Sequence, residues 1–191
     1  MIAGLYDIFA HWYKTGTVWL ISDTHFSDEE LYIGTKKIER ADADEYVKLI
    51  NSKVGRKDTL IHLGDVGDLE AMKKVRGYKI LIMGNHDTGA TKYKEIFNEV
   101  YQGPVQIGEK LILSHEPLEC GWAFNIHGHV HSFTHRDDAR HMCICPEVTR
   151  QFEPINFNQL MKSGFMSKIE TQHRKAINTA TKRARKRGKK K

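Results

Sequence analysis

Short apolar runs recur along the chain: TVWLIS (17–22), DTLIHL (58–63), KILIM (79–83), KLILS (110–114), AFNI (123–126) and MCIC (142–145). Each has strand length and is rich in Ile, Val or Leu. Several are apolar at consecutive positions, the pattern of strands covered on both faces. Between them the period changes. Residues 42–53 set Tyr46, Val47, Leu49 and Ile50 behind a capping Asp, and 68–75 and 91–100 also read as helices, with Asp68 and Thr91 as N-caps. Alternating strands and helices predict a layered α/β fold. In QIGEKLIL, Gly108 and Glu109 separate two extended pieces, so the second half of the sheet is expected to be partly antiparallel. Residues 158–172 predict a helix that Gly164 interrupts. Residues 2–13 place Ile2, Leu5, Tyr6, Phe9, Trp12 and Tyr13 at helical spacing. That segment reads as an amphipathic piece over a sheet edge, not as a membrane-surface helix, because its polar face carries few Lys or Arg.

The residues just past each apolar run are more telling. After VWLIS come Asp23 and His25, after TLIHL come Gly64 and Asp65, and after KILIM come Gly84, Asn85, His86 and Asp87. KLILS leads into His115, and AFNIH leads into Gly128, His129 and His131. In an open α/β sheet, sites form beyond the carboxyl ends of the strands, where loops bring together groups far apart in sequence. The set offers carboxylate, imidazole and one amide carbonyl but no thiolate, which suits divalent cations such as Mn²⁺, Fe²⁺, Ni²⁺ or Zn²⁺. Asp23, His25, Asp65, Asn85, His115, His129 and His131 are too many ligands for one tetrahedral ion and suit two ions that share a carboxylate. Asp23 and His25, two apart, can face the same way from an extended strand end, as can His129 and His131. Glycines 64, 84 and 128 let the chain turn so that the next side chain projects at the ion.

Composition changes the picture in two places. With 191 residues and 40% hydrophobic content, one domain with an appendage is expected. No apolar stretch reaches the ~18–20 residues that span a bilayer. The first residues carry no basic leader and no small-residue cleavage site, so no signal peptide is expected. Three cysteines (Cys120, Cys143, Cys145) are too few for a disulfide scaffold, and a cytoplasmic location is expected. The formal charge of +6 is a property of the tail: residues 174–191 hold ten Lys and Arg and no acid, which leaves 20 basic against 24 acidic residues elsewhere. The body is therefore mildly acidic, as befits a cation site. The tail could tether nucleic acid without sequence preference, and it has no aromatic residue for base stacking.

D-x-H, G-D, G-N-H-D, H and G-H-x-H, in this order and each behind a strand, resemble the calcineurin-like metallophosphoesterase superfamily, its small bacterial and phage phosphoesterases above all. The resemblance covers about residues 17–160. It implies an αββα sandwich of mixed sheets flanked by helices, with residues 1–16 as an N-terminal extension and 161–191 as a helical or disordered basic tail. It implies that Asp23, His25 and His131 hold one cation, that Asn85, His115 and His129 hold a second, and that Asp65 bridges them. By the same resemblance His86 meets the substrate phosphate and Asp87 orients His86. The implied reaction is hydrolysis of a phosphodiester, possible also for a monoester, by a water activated between two divalent ions, Mn²⁺ first among them. A nucleotide is a candidate substrate. Two rivals are a nuclease directed by the basic tail and a catalytically weak scaffold, against which the retained His86 argues.

Other polar residues take plainer readings. His62 reads as a core histidine bonded to backbone, His127 as a strand residue, and His135, His11 and His173 as loop or surface residues. His141, Cys143 and Cys145 form H-x-C-x-C, a weak zinc pattern better read as buried cysteines in a last core strand. Asp28, Glu29 and Glu30 read as a solvated loop beside the site, and Arg40 and Arg136 as exposed residues able to pair with phosphate.

Overall fold

The computed structural model describes residues 16–28, 32–33, 36–37, 42–132, 140–167, 169, 179 and 181–182. The expectations for residues 2–13, for Glu29, Glu30, Arg40, His135, Arg136 and His173, and for nearly all of the basic tail lie outside them.

Two mixed sheets stack face to face. The first runs in the order β11 (Ile155–Asn156), β1 (Val18–Ile21), β4 (Thr59–His62), β5 (Tyr78–Ile82), β6 (Glu99–Tyr101). Strands β1, β4, β5 and β6 are parallel, and β11 adds antiparallel to β1. The second sheet has the order β10 (His141–Cys143), β9 (Phe124–His127), β8 (Leu111–Leu113), β7 (Val105–Ile107). Here only β7 and β8 are antiparallel, joined by the turn through Gly108 that the sequence predicts. A short ribbon, β2 (Tyr32–Ile33) with β3 (Lys36–Lys37), stands apart. The core between the sheets draws Leu20, Ile61, Leu63, Ile80 and Ile82 from the first and Val105, Leu111, Leu113, Phe124 and Ile126 from the second. This is why the runs are apolar at consecutive positions: Ile21, Leu60 and Leu81 point the other way, into a second core under the helices.

That outer layer is made by α1 (Ala43–Lys53), α2 (Leu69–Lys73) and α3 (Ala90–Tyr93). Helix α1 starts where Asp42 accepts from the amides of Asp44 and Glu45 (2.9 and 3.2 Å), keeps its acids in the first turn and Lys53 in the last, and buries Tyr46, Val47 and Ile50. Asp68 caps α2 as expected. The third helix departs from the prediction of 91–100. It is a single turn entered through Gly89 at φ 76°, with no side-chain cap from Thr91. The chain must return at once to lay β6 beside β5, with Glu99 level with Ile80, so tertiary pairing overrides local propensity. After β10 come α4 (Pro146–Thr149), β11 and α5 (Phe157–Lys162); α5 ends at Ser163, just before Gly164 at φ 74°. Phe157 and Leu160 of α5 close the rim of the inter-sheet core.

The register aligns the strand ends. Ile21, His62 and Leu81 sit level across β1, β4 and β5, and Leu113, Ile126 and Met142 sit level across β8, β9 and β10. The loops beyond all five motif-bearing strands therefore emerge on one side.

Candidate metal centre

Beyond their ends, β1 and β4 stay zipped by backbone bonds from Asp23 to Gly64 (2.9 Å), His25 to Asp65 (3.1 Å) and Phe26 to Val66 (3.0 Å). The Gly128 amide likewise donates to the His115 carbonyl (2.9 Å). The backbone here is not the extended strand end expected for Asp23 and His25. Both lie in the left-handed region (φ 51° and 40°), and so do Asp65 (58°) and His129 (65°). Such conformations cost non-glycine residues roughly 1–3 kcal/mol each and persist where the surroundings over-determine them. These four residues are among those whose ligand atoms come together. Of the three motif glycines, Gly64 is the one with positive φ (94°). At Gly84 an added Cβ would strike the Asp65 carboxylate, and at Gly128 it would strike Ser22 and Asp23. Those two positions are small so that the loops can pass close to acids.

The seven side chains meet in two clusters, and a third set joins Asp23 and His131 to the Cys145 thiol. Ligand atoms of Asp23, His25 and Asp65 lie within 4.8 Å of one another, as do those of Asp65, His115 and His129; Asp65 belongs to both. His131 Nε2 is 3.2 Å from Asp23 Oδ1 and joins the first. Asn85 Oδ1 is 2.8 Å from His115 Nε2 and 2.9 Å from His129 Nδ1 and joins the second. Asp65 Oδ2 lies 3.6 Å from His25 Nε2 and 3.3 Å from His115 Nε2. All seven residues named as ligands from sequence thus lie in these two adjoining groups.

The chemistry of this donor set fits divalent cations. His115 Nδ1 donates to the Leu63 carbonyl (2.8 Å), so Nε2 faces Asn85 Oδ1, Asp65 Oδ2 and, at 3.2 Å, His129 Nδ1. Lone pairs converging in this way need positive charge among them. Proton equilibria register the same demand. Burial would push Asp23 up, but the His131 hydrogen bond and the His115 and His131 charges hold its carboxyl well below the usual range. Burial opposes protonation of His131, yet its bonds to Asp23 and Glu147 raise it to about 9. His115 is raised too, since Asp65 and Asp23 outweigh its burial.

His86 sits at the mouth, exposed, its amide donating to Asp65 Oδ1 (3.0 Å) and its ring edge-on to that of His25 at 5.5 Å. Asp87 corrects an expectation. It does not turn toward His86. It is buried, and its carboxylate accepts from the amides of Asp65 (2.8 Å), Val66 (3.1 Å) and Gly84 (2.8 Å) and from the Tyr93 hydroxyl (3.0 Å). Asp87 therefore clamps two ligand loops together, because a carboxylate buried behind the loops meets three amides before it meets the exposed imidazole.

The positioning partners were read differently, or not at all, from sequence. Glu147 of α4 holds His131 Nδ1 at 2.8 Å, and Asp28, read as solvated, faces His25 Nδ1 at 3.2 Å. Carboxylates in such places fix ring orientation and raise ligand basicity. The Cys145 thiol, kept protonated by burial, by Cys143 and by Asp23, lies 3.2 Å from Asp23 Oδ2, which also accepts from Ser22. The H-x-C-x-C pattern makes no zinc cage. His141 faces the Leu118 carbonyl, Cys143 the Val130 carbonyl and Cys145 Asp23, and β10 is not the last strand. His62 is a core histidine: its Nδ1 accepts from the Gly64 amide (3.1 Å) and its Nε2 meets Thr24 Oγ1 (2.9 Å), while burial lowers it to about 4 against the pull of nearby carboxylates. His127 lies on β9 as expected, its Nδ1 2.8 Å from the Gly128 carbonyl.

The His131 shift has a signed consequence for metal-stripped protein. Its value rises from 6.5 to about 9 on folding. The stabilisation is fully present below pH 6.5 and is lost as pH climbs through about 9; it is worth on the order of 3 kcal/mol. The melting temperature of chelator-stripped protein should fall between pH 6.5 and 9.5, and fall less in Glu147→Gln, which lacks one of the two carboxylates responsible. Scanning calorimetry on both proteins checks this; equal slopes would refute the Glu147 contribution.

Among the described residues, no helix is long and apolar enough to cross a membrane. A family model for the calcineurin-like phosphoesterases matches residues 16–162. Among solved structures, the chain is similar to a protein of unknown function, AQ665, from Aquifex aeolicus: 27% identity, a TM-score of 0.56, and coverage of 76% of this chain and 98% of that one. No curated protein matches it.

Proposed function

The chain belongs to the calcineurin-like phosphoesterase family, and from that premise we propose that it hydrolyses phosphodiesters with two divalent cations, Mn²⁺ foremost, held by Asp23, His25 and His131 on one side and Asn85, His115 and His129 on the other, with Asp65 between. The observation that carries the reading is Asp65, shared by two donor clusters while its other oxygen holds the amide of an exposed histidine.

Cations held there would supply a water of lowered pKa and positive charge for the phosphoryl oxygens. The protein's own part is positioning and proton delivery. Asp65 fixes the spacing of the two halves. Asp87, through the amides of Asp65, Val66 and Gly84, keeps the two loops from parting. His86 lies where a substrate phosphate must enter. Its imidazolium can donate to a phosphoryl oxygen as charge builds, and can pass its proton to the departing alkoxide as the P–O bond breaks. Water oxygen becomes the new ligand of phosphorus, and the alcohol leaves protonated. Support for diesters is the open mouth: Asn85 and His86 are exposed, so the second ester group has somewhere to go.

The test is a panel assayed with Mn²⁺-loaded protein: an aryl phosphate, an aryl phosphodiester, cyclic nucleotides and single-stranded nucleic acid. Turnover of the diesters above the monoester is expected. Turnover of the monoester alone would overturn the diester reading, and no turnover at all would overturn the phosphoesterase reading.

A further inference from the structure

Beside the Asn85 and His115 corner of the metal centre lies a cavity of about 280 Å³. This is near the lower end of the roughly 300–1,000 Å³ typical of small-molecule sites. Met83, Pro104 and Leu118 give it apolar walls, Ser114 lies in its lining, and Gln102 and Glu116 stand exposed on its rim. Its walls are pinned. The Leu118 amide donates to Asn125 Oδ1 (2.8 Å), the Leu118 carbonyl meets His141 Nε2 (3.0 Å), and the Ser114 hydroxyl donates to the Glu116 carbonyl (2.6 Å). On the other side the Met83 amide is tied to the Tyr101 carbonyl (2.8 Å). The site is therefore preformed.

We propose that this cavity takes the organic group of the substrate, and that the group is a single uncharged nucleoside rather than a stretch of chain bearing further phosphates. The inference rests on the phosphoesterase reading and narrows it to a substrate class. The argument is one of charge and size. Among the described residues that line the cavity there is no Lys or Arg, and the rim carries the Glu116 carboxylate. A second phosphate placed here, away from the metal corner, would meet a like charge with no Lys or Arg in the described lining to answer it. A nucleoside meets what it needs: apolar surface for base and sugar, a Gln102 amide that both donates and accepts, and a carboxylate to accept from hydroxyl or exocyclic amino groups. Because Asn85 and His115 border the cavity, a group seated in it places its ester phosphorus at the metal centre.

The probes are the 4-nitrophenyl ester of thymidine 5′-monophosphate and the same ester carrying an added 3′-phosphate, assayed with Mn²⁺-loaded full-length protein. The added phosphate is expected to lower kcat/KM at least tenfold, chiefly through KM. Glu116→Lys should shrink that ratio to threefold or less or invert it, and Glu116→Gln should fall between. A merely structural effect would lower turnover of both esters alike and leave the ratio in place. Independently, thymidine titrated calorimetrically into the loaded protein should bind, and Met83→Lys should abolish the heat. Equal kcat/KM for the two esters, or a ratio that survives in Glu116→Lys, overturns the inference while the phosphoesterase reading stands. If neither ester is turned over, the phosphoesterase reading falls, and thymidine heat that is absent or unchanged in Met83→Lys then overturns the assignment of the cavity as well.

Discussion

Asp65→Asn is expected to drop bound metal from two ions per chain to one or fewer and to lower kcat/KM by ~10³-fold or more. The size of the effect reflects the number of tasks on one carboxylate. Oδ2 lies against both His25 and His115, so one oxygen faces both donor clusters. Oδ1 accepts the His86 amide. An amide side chain must put its NH₂ toward either the cations or that N–H, and both placements are repulsive. The substitution also removes the anion that helps to keep His115 above its ordinary value. Metal content by plasma emission, read beside steady-state kinetics, decides the matter. Two ions retained with normal turnover would mean that Asp65 does not lie between them. A neighbouring change gives contrast: Asp28→Asn alters a carboxylate that faces His25 and should leave the second cluster filled.

His86→Gln should keep both ions and lose ~10²–10⁴-fold in kcat. Its side chain belongs to neither donor cluster, and its one bond to the centre comes from the backbone, which glutamine preserves. The leaving group gives the finer reading. If the imidazole delivers a proton, an alkyl ester, whose alkoxide is a poor leaving group, should suffer far more than a nitrophenyl ester, whose phenolate leaves unaided. If the imidazole only offsets charge on the phosphoryl oxygens, both esters should slow alike. Loss of metal in this variant would return His86 to the ligand set and undo the proposed division of labour.

The fold and the candidate donor cluster were legible because strand ends and chemistry coincide in the chain. A parallel sheet aligns its carboxyl edges, so a polar residue directly after each apolar run must land on one side of the molecule. That logic needs no knowledge of loops, and it brings Asp23, Asp65, Asn85, His115 and His129 to the one side of the molecule where their side chains meet. It failed where contact depends on how a loop folds back. Asp87 follows His86 in sequence, so pairing the two was natural; in three dimensions the carboxylate turns inward to three amides. Glu147 lies 16 residues beyond His131 on a separate helical turn, and nothing in its local pattern marks it as a partner. The left-handed backbone at Asp23, His25, Asp65 and His129 was invisible too, because residues other than glycine advertise extended or helical geometry. The same blindness made the predicted third helix too long, because apolar periodicity at Tyr93, Ile96 and Phe97 continues after the chain has already begun its return.

The four twisted positions also bear on how this protein can be improved in the laboratory. Glycine adopts that backbone freely, so a screen that rewards heat resistance alone will be drawn to replace Asp23, His25, Asp65 or His129, and each such gain will remove a member of the candidate metal centre. Libraries aimed at a hardier catalyst should therefore freeze these codons and seek their gains at Arg150, whose equally unfavourable turn just past α4 does not belong to the donor set.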